Sequence, residues 1–298
     1  MDYSSTLIAY HSGSWYSDDP KYLGQQINSY LSSSEKVSKS DNLKSIIVPH
    51  AGYRYCAETA SKAFININPD NYNRVVILGP SHHEYFIGCG LSSFKYFETP
   101  FGNVKIDTST NEKLLNNNNF FTLSESVDLN EHSIEMEMPF IKYIFQERDF
   151  NILPIVVGQN DYENNIKIGK LLYDLYEDEK TLFVISSDFC HWGRRFGFTY
   201  YDEKFDEIWK STENLDKIAL EIISKMNSKD LFDYFKKYRN TICGRNPIIM
   251  TLSIIEDYQK KFKDKVINFD CVGYSQSDHV VNKSGSSVSY AAAVNCVC

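Results

Sequence analysis

Short, continuous runs of apolar and β-branched residues recur along the chain, each ending on small or polar residues. Lys44–Val48 runs into Pro49-His50, Arg74–Leu78 into Gly79-Pro80, Ile152–Val157 into Gly158, and Thr181–Ser186 into Ser187-Asp188. Apolar runs of about five residues suit strands covered on both faces, as in a mostly parallel sheet. Helical spacing fills the intervals. It appears over Ala57–Ile65, over Ile134–Phe145 (Ile134, Met138, Ile141, Phe145) and over Ile166–Tyr176, where Leu171, Leu172 and Leu175 share a side. Further helices are predicted over Glu213–Met226, Ser228–Tyr238 and Pro247–Phe262, with Ser228 a natural N-cap and Pro247 suited to a first helical position. Two strands, Val266–Gly273 and Ser286–Val294, close the pattern. The Ser32–Ser40 stretch and Asn116–Asn119 read as surface connections, too short to be domain linkers.

Strands alternating with helices predict one α/β domain over residues 1–298, with a mostly parallel or mixed central sheet and helices on both faces. The composition agrees: 42% hydrophobic and 23% charged residues over 298 positions suffice for a substantial core. A net charge of −8 without any Lys/Arg block argues against a nucleic-acid partner. The start, Met1-Asp2-Tyr3, is acidic where a signal peptide is basic, and no apolar run nears the roughly 20 residues that span a bilayer, so no membrane insertion is expected. Seven scattered Cys without a CxxC read as reduced thiols of a cytoplasmic protein, with Cys296 and Cys298 expected to be frayed and exposed.

In open α/β sheets ligands bind beyond the carboxyl ends of the strands. Unusual residues gather there. Of seven His, four (His50, His82, His83 and His191) follow the end of an apolar run within five residues. Each alone reads as a turn-capping side chain; as a set from three strand ends they predict a site. A metal is the simplest reason to gather neutral imidazoles, and two His with a carboxylate make a non-haem iron site. The residues leave the third ligand open. His132 and Glu135 lie three apart on one helical face, while Cys243 precedes a helix beside Arg245, a setting that favours thiolate. Tyr53, in the run after the first strand, and Trp15, in the run after His11, are further pocket candidates. No GxGxxG, Walker loop or HExxH is present.

Seven strings carry a resemblance: HSGSWY (11–16), PHAGYRYC (49–56), LGPSHH (78–83), EHSIEMEMPF (131–140), SSDFCHWG (186–193), TICGRNPI (241–248) and SSVSYAA (286–292). In this order, across nearly the whole chain, they resemble the Memo family, named for a mediator of receptor-kinase-driven cell motility. The resemblance implies a fold like that of class III extradiol non-haem iron dioxygenases. It implies metal ligands at His50, His82 and Cys243, with the thiol standing where those enzymes carry Glu, and an acid–base role for His191. It further implies iron or copper as cofactor, redox or oxygen chemistry on an unidentified small molecule, and alternatively an adaptor that binds phosphotyrosine peptides or signalling proteins. A His₂Cys set is softer than His₂-carboxylate, which makes copper a credible occupant beside Fe(II). Asp188 is expected to orient one of the imidazoles, and Arg245 to help receive a phosphate.

Overall fold

A computed structural model describes residues 4–37 and 42–298. The predicted Ser32–Ser40 connection therefore lies partly, and the start at Met1-Asp2-Tyr3 wholly, outside the described residues. The strands are β1 (Ser4–Leu7), β2 (Leu43–Val48), β3 (Arg74–Pro80), β4 (Cys89–Leu91), β5 (Phe94–Phe97), β6 (Val104–Ile106), β7 (Phe120–Thr122), β8 (Asn151–Val157), β9 (Thr181–Ser186), β10 (His191–Trp192), β11 (Ile267–Gln276) and β12 (Ser287–Val297). The helices are α1 (Pro20–Ser32), α2 (Tyr53–Phe64), α3 (Thr108–Leu114), α4 (Glu125–Asn130), α5 (His132–Glu135), α6 (Met138–Phe145), α7 (Tyr162–Glu177), α8 (Ile208–Ser224), α9 (Ser228–Tyr238) and α10 (Arg245–Lys261).

The apolar runs form the centre of one mixed sheet, in the order β1-β5-β6-β8-β3-β9-β2-β12-β10, with β11 beside β12 and β4 bridging β7 and β8. β8, β3, β9 and β2 are parallel neighbours, and β12 runs antiparallel to β2 and β11. Successive side chains of each central strand enter opposite cores. Ile47, Val76, Leu78 and Ile185 pack on one face with Leu172 of α7, Ala219 of α8, Leu231 of α9 and Ile249 of α10. Ile46, Val48, Val75 and Val184 pack on the other with Leu23 of α1, Ala57 of α2 and Phe140 of α6. That two-sided burial is why these strands read as unbroken apolar runs.

Three details depart from the sequence reading. The helix expected over Ile134–Phe145 is two, α5 and α6. Pro139 supplies no N–H and sits at the start of α6, so the ladder restarts there. β12 runs on to Val297, so Cys296 is buried in the sheet while Cys298 beyond it is exposed. The short strands β1, β4–β7 and β10 and helix α1 had no recognisable pattern, being too short or too polar to show a period.

Pairing of Val48 with Ser186 and of Leu78 with Ile185 aligns the carboxyl ends of β2, β9 and β3 on one rim. Helix α5 crosses beside that rim so closely that a Cβ on Gly79 would lie 2.4 Å from Ser133 Oγ. Only glycine admits this approach. The segment carrying His132 is thereby seated against the loop carrying His82.

Candidate metal centre

His50 follows β2, His82 follows β3 and His132 opens α5. Their ligand atoms lie within 4.8 Å of one another. The His82 and His132 rings stack at 4.3 Å, and His50 meets them edge-on at 5.1 and 5.4 Å. His50 is buried; His132 is half-buried and His82 reaches the surface.

Two of the three imidazoles are held from behind. The Glu131 carboxylate accepts the His82 backbone N–H at 2.7 Å and its Nδ1–H at 2.8 Å. Ser186 donates its hydroxyl to Glu137 Oε1 at 2.8 Å, which leaves its oxygen to accept Nδ1–H from His50 at 2.7 Å. Both arrangements leave Nε2 as the lone-pair nitrogen, the tautomer a metal ligand requires. Glu135 repeats the device at His11, meeting Nδ1 at 2.8 Å while also accepting from the Tyr16 hydroxyl. Three acids of one short segment thus brace three histidines from three other segments.

Electrostatics keep the nitrogens of His50 and His132 bare. Burial, and the proximity of the other imidazoles, hold His50 well below the usual histidine range. Burial and His82 push His132 down to about 3. Burial opposes ionisation of Glu131, but its bonds to His82 and Ser133 outweigh this and hold it down to about 2. Burial pushes Asp188 up to about 7 against the N–H groups of His50 and Ala51 and the nearby His82 ring.

The Cys243 Sγ is 3.2 Å from His50 Nε2 but is not part of the three-nitrogen group. The expectation of an accessible thiolate there is corrected. Burial, reinforced by the Asp188 charge, raises this thiol well above its ordinary value. Cys243 does precede a helix, α10, but the desolvation of its thiol outweighs what the helix terminus and the Gly244 N–H supply. The expectation that Asp188 orients an imidazole is also corrected: its Oδ1 accepts the backbone N–H of His50 at 2.9 Å.

A cleft of about 830 Å³ opens over the cluster, lined among others by His132, Asp188, His191, Trp15 and Tyr53. The His191 Nδ1 faces two carbonyl oxygens, Phe189 O at 2.9 Å and Thr241 O at 3.2 Å. Carbonyls only accept, so Nδ1 carries the proton and Nε2 is the basic nitrogen. Burial lowers the pKa of His191 against these two bonds, so the ring is neutral at pH 7. Trp15 packs on His132 at 4.7 Å, and the buried Tyr53 donates to Met136 O at 3.0 Å. His83 is exposed, its ring 6.1 Å from that of His132. Arg245 is exposed and donates to Gln159 rather than lining the cleft; Arg54 and Arg195 line it instead. Sequence reasoning missed the roles of Glu131 and Glu137. The signal was the acid spacing in EHSIEME, which also suits an ordinary helix start.

Fold and cleft define a mixed α/β protein with an imidazole cluster able to hold a metal. The chain belongs to the Memo family: the family model for Memo-like protein matches residues 8–294. It is 40% identical over 286 residues to Protein MEMO1 of Danio rerio and 39% identical to Protein MEMO1 of Homo sapiens, covering 95% of each chain in both cases. It is 37% identical over 290 residues to Protein memo-1 homolog of Caenorhabditis elegans, covering 97% of this chain and 82% of that protein. Among solved structures it aligns with an uncharacterised Escherichia coli K12 protein at TM-score 0.48 and 10% identity, over 83% of this chain and 98% of that one. Among the described residues no helix is long and apolar enough to cross a membrane.

Proposed function

We propose that this chain binds iron or copper at His50 and His82, completed by His132 or Cys243, and performs metal-dependent redox or oxygen chemistry on a small organic substrate. The observation that carries this reading is the convergence of three imidazoles, two of them braced through Glu131 and Glu137, beside a cleft that His132 lines. The donor set fits such an ion: imidazole nitrogens, with Nε2 of His50 and His82 turned away from their braces, and a neighbouring sulphur that suits the softer metals. A bound ion would supply Lewis acidity and one-electron exchange. The chain's own residues supply the rest. His191 Nε2 accepts a proton from a substrate in the cleft, Asp188 carries a proton near neutrality, and Trp15 and Tyr53 offer aromatic faces along the cleft.

Metal analysis after anaerobic purification tests this reading. We expect about one iron or copper ion per chain, lost in a His50→Ala, His82→Ala double variant that still folds. Unchanged metal content in that variant would overturn it.

A second reading, an adaptor for phosphotyrosine peptides or signalling proteins, is supported by Arg54 and Arg195 among the cleft residues. Calorimetry with matched phosphorylated and unphosphorylated peptides separates the two. Equal affinities would remove the adaptor.

A further inference from the structure

Asp216 is fully buried in α8 and does not line the cleft. Its Oδ1 accepts the Cys190 backbone N–H at 3.3 Å and the Asn240 Nδ2–H at 2.9 Å. Its Oδ2 accepts the Tyr274 hydroxyl at 2.9 Å. Cys190 precedes His191, and Asn240 precedes Thr241, so one carboxylate ties together the two segments that enclose the His191 ring. The tie continues outward. Asn240 Oδ1 accepts the Thr241 N–H at 2.7 Å, and Thr241 Oγ1 accepts the His191 N–H at 2.8 Å while donating to His191 O at 3.0 Å. The two carbonyls that claim His191 Nδ1 come from these same segments.

We infer that Asp216 is a positioning residue: by pinning Cys190 and Asn240 it keeps both carbonyls on His191 Nδ1 and leaves Nε2 free to take a proton. Without the pin, one carbonyl can withdraw and the ring is free to turn or to protonate at Nε2, the form that cannot act as a base. A buried carboxylate with three donors from three segments is a costly arrangement for packing alone, since an apolar side chain would fill the space without desolvating a charge. The inference rests on the reading of His191 as the proton-transfer group, and the following test reads the ring itself rather than turnover.

In the full chain carrying isotope-labelled histidine, long-range proton–nitrogen correlation reports which ring nitrogen holds the proton. The His191 signal is assigned by its disappearance in His191→Gln. We expect the Nδ1–H pattern in the native chain and in Asp216→Asn, whose carbonyl oxygen still accepts from Cys190 and Asn240. We expect loss of that single pattern, with Nε2–H signal appearing, in Asp216→Ala and in Asn240→Ala. Leu215→Ala, a buried apolar truncation next door, should weaken the fold and leave the tautomer unchanged. Retention of the Nδ1–H pattern in Asn240→Ala and in any folded Asp216→Ala overturns the inference, as does equal loss in Leu215→Ala. Should Asp216→Ala not fold, Asn240→Ala decides. A chain that fails the metal test above can still pass this one, so the two failures are distinguishable.

Discussion

Glu131 and His82 are joined twice, through the backbone N–H at 2.7 Å and through Nδ1–H at 2.8 Å, by the two oxygens of one carboxylate. The same carboxylate also accepts Ser133 N–H at 3.0 Å, so it starts α5 and aims the His82 ring at once. Glu131→Gln keeps the size but loses one acceptor oxygen and the charge. Metal affinity is expected to fall roughly 10- to 100-fold, the usual range for such supporting groups. Competition with a chromophoric chelator measures it. Affinity equal to the native chain would show that His82 needs no brace.

Gly244 lies between Cys243 and α10, and a Cβ there would sit 2.3 Å from Ser187 Cβ and 2.8 Å from Ser186 O. Gly244→Ala must push apart the segment that holds Cys243 and the strand end that holds the His50 partner Ser186. Urea unfolding is expected to show a loss of about 1–3 kcal/mol, typical of overpacking. Metal retention should fall alongside. A variant as stable as the native chain would mean this contact relaxes freely.

Asp128 is buried with Oδ2 unpartnered, and burial pushes its pKa up to about 6. The folded value thus lies above the ordinary 3.8, and the folded state holds the proton longer than the unfolded one. The associated stability is complete below about pH 4 and is lost as pH rises through about 6. Asp128→Asn mimics the protonated form. It is expected to match the native chain near pH 4 and to exceed it by on the order of 2–3 kcal/mol at pH 7. Parallel denaturation curves at the two pH values would refute this.

The thiols should separate by exposure. Cys298 is exposed, and burial keeps the Cys243 thiol protonated at neutral pH. With iodoacetamide at pH 7, Cys298 is expected to react first and Cys243 at least about tenfold more slowly. Peptide mass mapping over time reads the order. Early labelling of Cys243 would indicate a thiolate in the metal-free protein.

Much of the fold was legible in the sequence because the central strands are buried on both faces and so show as apolar runs. The positions of His50, His82 and His191 followed from those runs, since parallel neighbours end on one rim. The edge strands left no such trace. Glu131 and Glu137 were also hidden, because an acid that starts a helix and an acid that braces a distant imidazole look alike along the chain. The break between α5 and α6 was marked by Pro139, but the helical period on both sides concealed it.

By itself the sequence determined the alternation of strands and helices, the strand ends that carry histidines, and membership in a recognisable family. Hydrophobic pattern and residue identity are local properties, so these could be read directly. The tertiary structure decided that His132 joins His50 and His82, that Glu131 and Glu137 set their tautomers, that Asp188 serves a backbone N–H, and that Cys243 is a thiol rather than a thiolate. Each of these depends on how close a group from another segment comes and how much water is excluded between them. Desolvation and hydrogen bonding act through space, and only the folded chain defines that space.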